Sequence, residues 1–206
     1  KARKNELTKD QEKELSDLKN QQASYDKEVE VWNKNRSLDG FSKLRKMYND
    51  AGVQIYAFKP DYLLTKRNSD ANIEYAMKAG KLLGASHVTL ELPRDTAHTL
   101  KLGKMAEKNE IKVAYHGHEQ QNPTWWDTAL SQSPNNAMNI DLGHYVAAGN
   151  AAPLQILKDK HQHILSMHVK DRQNPENGKN NMPFGKGDTP IIEALKLMRD
   201  EKYTFA

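Results

Sequence analysis

The sequence predicts an α/β fold built on a parallel sheet. Three observations carry this. Short β-branched or aromatic runs alternate with helical runs from residue 41 onward, at roughly 25–35 residues per unit, the rhythm of strands joined by crossover helices. Turn and capping residues such as Gly52, Gly84 and Thr189-Pro190 punctuate the units. The unusual polar residues gather at the carboxyl ends of the strand-like runs, where parallel α/β proteins bind ligands.

Taken in order, residues 1 to about 36 are rich in Lys, Glu, Gln and Asn, with sparse Leu7, Leu15, Leu18, Val29 and Val31. Good helix formers dominate, so this segment is expected to be a solvated helix or helix pair, packed on or inserted in a larger body. A helix through Phe41–Tyr48 ends at Asn49-Asp50-Ala51-Gly52, and Val53–Phe58 reads as a strand. Helices follow at Ala71–Leu83, Thr96–Lys108, Trp125–Leu130 and Pro153–Lys158. Between them lie strands at His87–Leu92, Ile111–His116, Ala137–Leu142 and Ile164–Lys170. Thr189 and Pro190 form an N-cap and N1 pair for a last helix, whose buried stripe is Ile191, Ala194, Leu195 and Met198. Tyr203-Thr204-Phe205 begins another strand. Residues 1–40 are thus expected as a polar helical segment and 41–206 as the α/β body. The alternation leaves an open doubly wound sheet and an eight-stranded βα barrel in competition. No G-x-G-x-x-G or Walker A sequence favours a dinucleotide-binding sheet.

Composition narrows the function classes. The 206 residues carry 31 Lys and Arg, 27 Asp and Glu, 8 His and no Cys. A disulfide framework and a Cys-ligated metal are excluded. No apolar run approaches the roughly 18 residues of a membrane span. The net charge of +4 comes from charges interspersed in sign, a poor footprint for nucleic acid. The chain opens Lys1-Ala2-Arg3-Lys4 without Met and stops at Phe205-Ala206 as a strand starts. We therefore expect a piece of a longer protein. Its compartment, cytoplasmic or periplasmic, stays open.

The strand ends read Phe58-Lys59-Pro60-Asp61, Glu91, His116-Gly117-His118-Glu119, Asp141-Leu142-Gly143-His144 and His168-Val169-Lys170-Asp171. His116 and His118, two apart, share a face if the strand continues. Imidazole and carboxylate together suit a divalent metal such as Mn, Zn or Fe. His116, Asp141 and His168 are therefore expected to form a metal or substrate site. His87, His98, His161 and His163, at strand starts or on helices, are expected to be structural. Trp125 follows the His116 strand end, where it either stacks on a ligand ring or packs a helix against the sheet, and Lys186 sits in a Gly-Lys-Gly loop, either meeting an anion or simply solvated.

Tyr115-His116-Gly117-His118, Asp141-Leu142-Gly143-His144, Met167-His168-Val169-Lys170-Asp171 and Gly185-Lys186-Gly187-Asp188 occur in that order. The series resembles the sugar phosphate isomerase/epimerase family, the xylose isomerase-like TIM barrels, over about residues 41–206. The resemblance implies a (β/α)8 barrel of which this chain holds strands three to seven and the start of eight. It implies a divalent metal (Mn, Zn, Mg, Co or Fe) held by a Glu, an Asp, a His and a second Glu. Asp141 and His168 match two of these, His116 stands where the first Glu is expected, and the second Glu would fall beyond Ala206. His144 matches a histidine near substrate or metal. Lys170 matches a residue near substrate oxygens or a phosphate. The implied activity is isomerisation or epimerisation of a sugar or sugar phosphate, by proton abstraction beside a carbonyl through an enediolate. In this reading His116, Glu91 and Lys170 are catalytic, and His118, His144, Trp125 and Lys186 face the substrate. Glu91 offers the carboxylate that His116 replaces. A keto-sugar lyase or hydratase, an endonuclease IV-like phosphodiesterase and a non-catalytic sugar-binding barrel are the competing readings. The partner expected is a small carbohydrate, with no membrane span, and the oligomeric state stays open.

Overall fold

The computed structural model describes residues 7–206, so the first six residues of the expected polar segment lie outside the described residues. The described chain divides into two compact units, one ending at Leu38 and one spanning Asp39–Ala206.

The first unit is one long helix, α1 (Lys9–Asn35), with no buried residue. A capping box starts it. Thr8 Oγ1 accepts from the Gln11 amide at 3.3 Å, and the Gln11 side chain accepts from the Thr8 amide at 2.9 Å. Pairs one turn apart, such as Glu30 with Lys34 at 2.7 Å, support its surface.

The second unit is the α/β body. It comprises α2 (Asp39–Asp50), β1 (Ala57–Phe58), α3 (Asp70–Leu83), β2 (His87–Glu91), α4 (Thr96–Lys108), β3 (Lys112–His116), α5 (Asp127–Gln132), β4 (Asn136–Asp141), α6 (Leu142–Ala147), α7 (Pro153–Lys160), β5 (Ile164–His168), β6 (Asp171–Arg172), β7 (Asn181–Met182) and α8 (Ile191–Asp200). Strands β1 to β5 form one parallel sheet in sequential order, and β6 and β7 make a small antiparallel ribbon beyond it.

Alternation along each strand sorts its side chains. Val88, Leu90, Val113, Tyr115, Met138 and Ile140 join Ile73, Met77, Leu102 and Leu157 in the apolar core. The opposite face is polar, and two hydrogen bonds across it fix its curvature. His87 Nε2 on β2 meets Ser166 Oγ on β5 at 2.9 Å, and Asn139 Nδ2 on β4 donates to Thr89 Oγ1 on β2 at 2.9 Å. In a flat sheet β2 and β5 would stand about 14 Å apart, at ~4.8 Å per strand. The sheet is therefore curled into part of a barrel with this polar face inside. Backbone bonds from the Met167 amide to the Ala206 carbonyl (2.7 Å) and from the Ala206 amide to the Leu165 carbonyl (3.3 Å) set the chain's last residue beside β5. That is the place of the next barrel strand. The fold is thus a partial TIM barrel.

Three local expectations are corrected. Only Ala57–Phe58 of the Val53–Phe58 run pairs as a strand, because only those residues meet a partner, on β2. Leu142 does not extend β4 but opens α6, since the Asp141 carboxylate caps a helix there. Thr189 does not cap α8, which begins at Ile191 after Pro190. Its hydroxyl instead accepts from the Arg172 amide at 3.0 Å.

Candidate metal and substrate site

The carboxyl ends of β2 to β5 deliver Glu91, His116, Asp141 and His168 to one rim. Glu91 is in register with His116, and Asp141 with His168. His116 is in register with Asn139, so β4 reaches two residues further than β3. The His116 and His168 rings lie 4.5 Å apart between centroids, and the His116 and His118 rings 5.0 Å apart. Donor atoms of His116, Asp141 and His168 all fall within 4.8 Å of one another, as do those of His116, His118 and His144. The strand ends at His116, so His118 belongs to the loop, yet the chain turns it back over the same rim.

Asp141 is fully buried and divided in its duties. Its Oδ1 accepts from the His144 amide at 2.8 Å, closing the first turn of α6. Its Oδ2 faces the rim, where the only group within hydrogen-bond distance among the described residues is the Lys170 ammonium. Lys170 Nζ forms an ion pair with it at 2.7 Å, and His168 Nδ1 lies at 4.0 Å. His116 is also buried, and its Nδ1 has no hydrogen-bond partner. Burial, with a lesser push from His168, lowers the His116 pKa to about 4. Burial likewise takes His144 to about 4 and lowers His168. All three rings are thus neutral near pH 7, the form in which imidazole offers a lone pair. Glu91 is half-buried, 3.6 Å from Lys59 Nζ and 3.7 Å from His118 Nε2.

Two glycines of the sequence motifs are there because something else is close. A Cβ on Gly117 would come within 2.3 Å of the Trp125 ring, so Trp125 lies directly against the turn between His116 and His118. A Cβ on Gly143 would meet the Lys170 carbonyl oxygen and Cβ, each at 2.7 Å. Gln121, itself buried, ties the rim together. Its Nε2 donates to the carbonyls of Gly117 (2.9 Å), His118 (2.8 Å) and Asp141 (3.2 Å).

The Gly-Lys-Gly loop has a different use from the one its sequence suggests. The Asp171 carboxylate accepts from the amides of Gly185 (2.7 Å), Lys186 (3.0 Å), Gly187 (2.9 Å) and Thr189 (3.3 Å). An internal anion therefore fills the amide cradle, and the Lys186 residue is exposed. His87 and His98 are structural, as expected. His87 bridges Ser86 and Ser166, and His98 Nε2 meets the Leu64 carbonyl at 2.8 Å.

One residue that sequence reasoning passed over completes the rim. Arg172 is nearly buried, with Nη1 2.5 Å from His144 Nδ1 and Nη2 2.8 Å from Glu119 Oε1. The available signal was the charged pair Asp171-Arg172, placed directly after His168-Val169-Lys170.

No protein-family model and no curated protein sequence matches this chain. Solved structures do match in fold. A xylose isomerase domain protein from Planctomyces limnophilus superposes with a TM-score of 0.66 at 16% identity, covering 82% of this chain and 75% of that one. A sugar phosphate isomerase/epimerase from Parabacteroides distasonis gives 0.57 at 18% identity, over 78% of this chain and 64% of that one. A xylose isomerase-like TIM barrel protein from Mycobacterium smegmatis, solved in complex with magnesium, gives 0.59 at 15% identity, over 83% and 71%. At these identities the likeness establishes a TIM-barrel fold, and this chain spans about two thirds to three quarters of each.

Proposed function

We propose that this chain carries most of the active rim of a metal-dependent isomerase or epimerase acting on a sugar or sugar phosphate. One observation carries the reading. The buried His116 Nδ1 lacks a hydrogen-bond partner at the rim where His168 and the buried Asp141 carboxylate, ion-paired only with the part-exposed Lys170, converge on it. Buried polar atoms without partners are costly and call for an explanation. A cation held by His116, Asp141 and His168 supplies one, and the two-imidazole, one-carboxylate donor set fits a divalent transition ion. The resemblance in sequence motifs and the fold of the neighbours point the same way.

The cation, when bound, supplies Lewis-acid stabilisation of the negative charge that develops on an enediolate. The protein groups do the rest. Glu91, held between Lys59 and His118, accepts the proton from the substrate carbon beside the carbonyl. His118, 3.7 Å from that carboxylate, is placed to relay the proton onward. Lys170 and His144 donate to substrate oxygens, and Trp125 closes the side of the site beside Gly117. The neutral His116 and His168 rings leave lone pairs open to a cation near pH 7.

Metal analysis of the purified protein, followed by proton exchange in deuterated water over a panel of keto-sugars and their phosphates, tests the proposal. The expected result is one bound divalent ion and exchange of a substrate C–H. Asp141→Asn and His168→Gln are expected to weaken metal binding at least tenfold. Glu91→Gln is expected to keep the metal and lose exchange. Protein that takes up no metal and exchanges no substrate proton would defeat the reading, and Glu91→Gln with unchanged turnover would remove Glu91 from it.

A further inference from the structure

Two histidine groups at the rim have the spacing to hold an ion. One is His116, Asp141 and His168; the other is His116, His118 and His144. The hydrogen bonds around His144 discriminate between them.

Arg172 Nη1 lies 2.5 Å from His144 Nδ1. A guanidinium has only donors and keeps its charge in proteins. His144 Nδ1 must therefore accept, with its lone pair engaged by Arg172. A neutral imidazole carries one N–H, so the ring proton sits on Nε2. This reverses the usual arrangement of a metal-binding histidine, which donates one ring N–H to a carboxylate or carbonyl and keeps the other nitrogen bare for the ion. Arg172 is not free to swing aside. Its side chain is 8% exposed and also donates to Glu119 Oε1 and to the Lys179 carbonyl. Lowering of the His144 pKa by burial agrees with a neutral ring.

Nε2–H faces Lys170 Nζ at 3.1 Å. The lysine is drawn there by Asp141 Oδ2 at 2.7 Å. Two donors this close repel unless one acceptor sits against both, and Asp141 Oδ2, 3.8 Å from His144 Nε2, is within hydrogen-bond reach of the lysine alone. A carbonyl, hydroxyl or phosphate oxygen of the substrate is such an acceptor, and a pair of converging donors is the arrangement that stabilises a developing oxyanion.

We infer that Arg172 is a positioning residue that fixes His144 as the Nε2–H tautomer, which bars this ring from any ion and makes it, with Lys170, a donor pair for one substrate oxygen. The site then takes one cation, on His116, Asp141 and His168, and none on the three-histidine group. The one-cation part rests on the proposed function; the tautomer does not.

Long-range proton–nitrogen spectra of the histidine rings in the 15N-labelled chain test it, with His144 assigned by its loss in His144→Gln. The metal-free protein is expected to show a protonated Nε2 and a bare Nδ1 at His144. Zinc(II) added to one equivalent is expected to shift His116 and His168 and leave the His144 nitrogens where they were. In Arg172→Met the Nδ1–H form is expected to rise at least severalfold and His144 to begin responding to zinc, whereas Arg172→Lys, which keeps a donor, restores the wild-type tautomer in part. If Arg172→Met does not fold, Glu119→Gln loosens the same guanidinium without removing it, and a smaller shift in the same direction is expected. A wild-type His144 with its proton on Nδ1, or one that zinc shifts, overturns the inference. An Nε2–H ring in a protein where zinc moves no histidine leaves Arg172 its role and defeats the metal reading instead.

Discussion

His87 supplies a prediction whose size follows from its surroundings. Its ring is fully buried at the start of β2, with Ser86 Oγ 2.9 Å from Nδ1 and Ser166 Oγ 2.9 Å from Nε2. Burial lowers its pKa from 6.5 to about 4. Between those two values the unfolded chain binds a proton that the folded chain refuses, so folding loses stability as pH falls. The contribution is fully present above the unfolded value of 6.5, declines through the window from 6.5 to 4, and levels off below. At pH 5 the loss relative to pH 8 is about 2 kcal/mol, rising to about 3 kcal/mol below pH 4. Urea unfolding at pH 8 and pH 5, for the wild type and His87→Gln, reads this directly. The variant is less stable at pH 8, having lost a ring that clasps β2 to β5, but its drop between the two pH values is smaller by about 2 kcal/mol. His116 and His144 titrate in the same direction in both proteins and cancel from the difference. An equal drop in the two proteins, or an NMR titration placing the His87 ring near 6.5, would refute the view that this histidine is a sealed neutral clasp of the barrel interior.

Two further outcomes follow from the rim. Gly143→Ala would press a methyl group onto the Lys170 carbonyl, which cannot rotate away as a side chain can. A loss of about 2 kcal/mol is expected from overpacking, and metal affinity should fall with it because Asp141 stands two residues before; calorimetric unfolding and metal titration check both. Asp171→Asn keeps the shape of the clasp but replaces an acceptor-only carboxylate by a group with two donors, facing four backbone amides. About 3 kcal/mol should be lost, and hydrogen exchange of the Gly185, Lys186 and Gly187 amides should accelerate far more than that of β3 or β4. Equal protection of those amides in the two proteins would show that the loop is held by something else.

The candidate site was legible to the extent that local sequence encodes it. Asp141, His168 and His116 stand at strand ends because the apolar runs before them fix where each strand stops, and strand ends of a parallel sheet share one rim. Lys186 illustrates what was not legible. Gly-Lys-Gly is a good anion cradle in isolation, but its occupant, Asp171, lies 14 to 16 residues away in sequence. The Val53–Phe58 run shows the same limit in the fold. Its β propensity is real, yet a strand exists only where a partner strand offers bonds, and that partner is met only at Ala57 and Phe58.

The sequence by itself determined the alternation of strands and helices, the parallel sheet that this requires, and the order in which histidines and carboxylates arrive at its rim. Periodicity and turn chemistry are short-range properties, and they survive without knowledge of what packs against them. Only the tertiary structure decided the curl that brings His87 to Ser166, the division of labour between the two oxygens of Asp141, and the nitrogen of His144 that keeps its proton. Each of these depends on a partner distant in the chain and on burial, which turns an unmatched donor or acceptor from a trifle in water into a demand that the fold must meet.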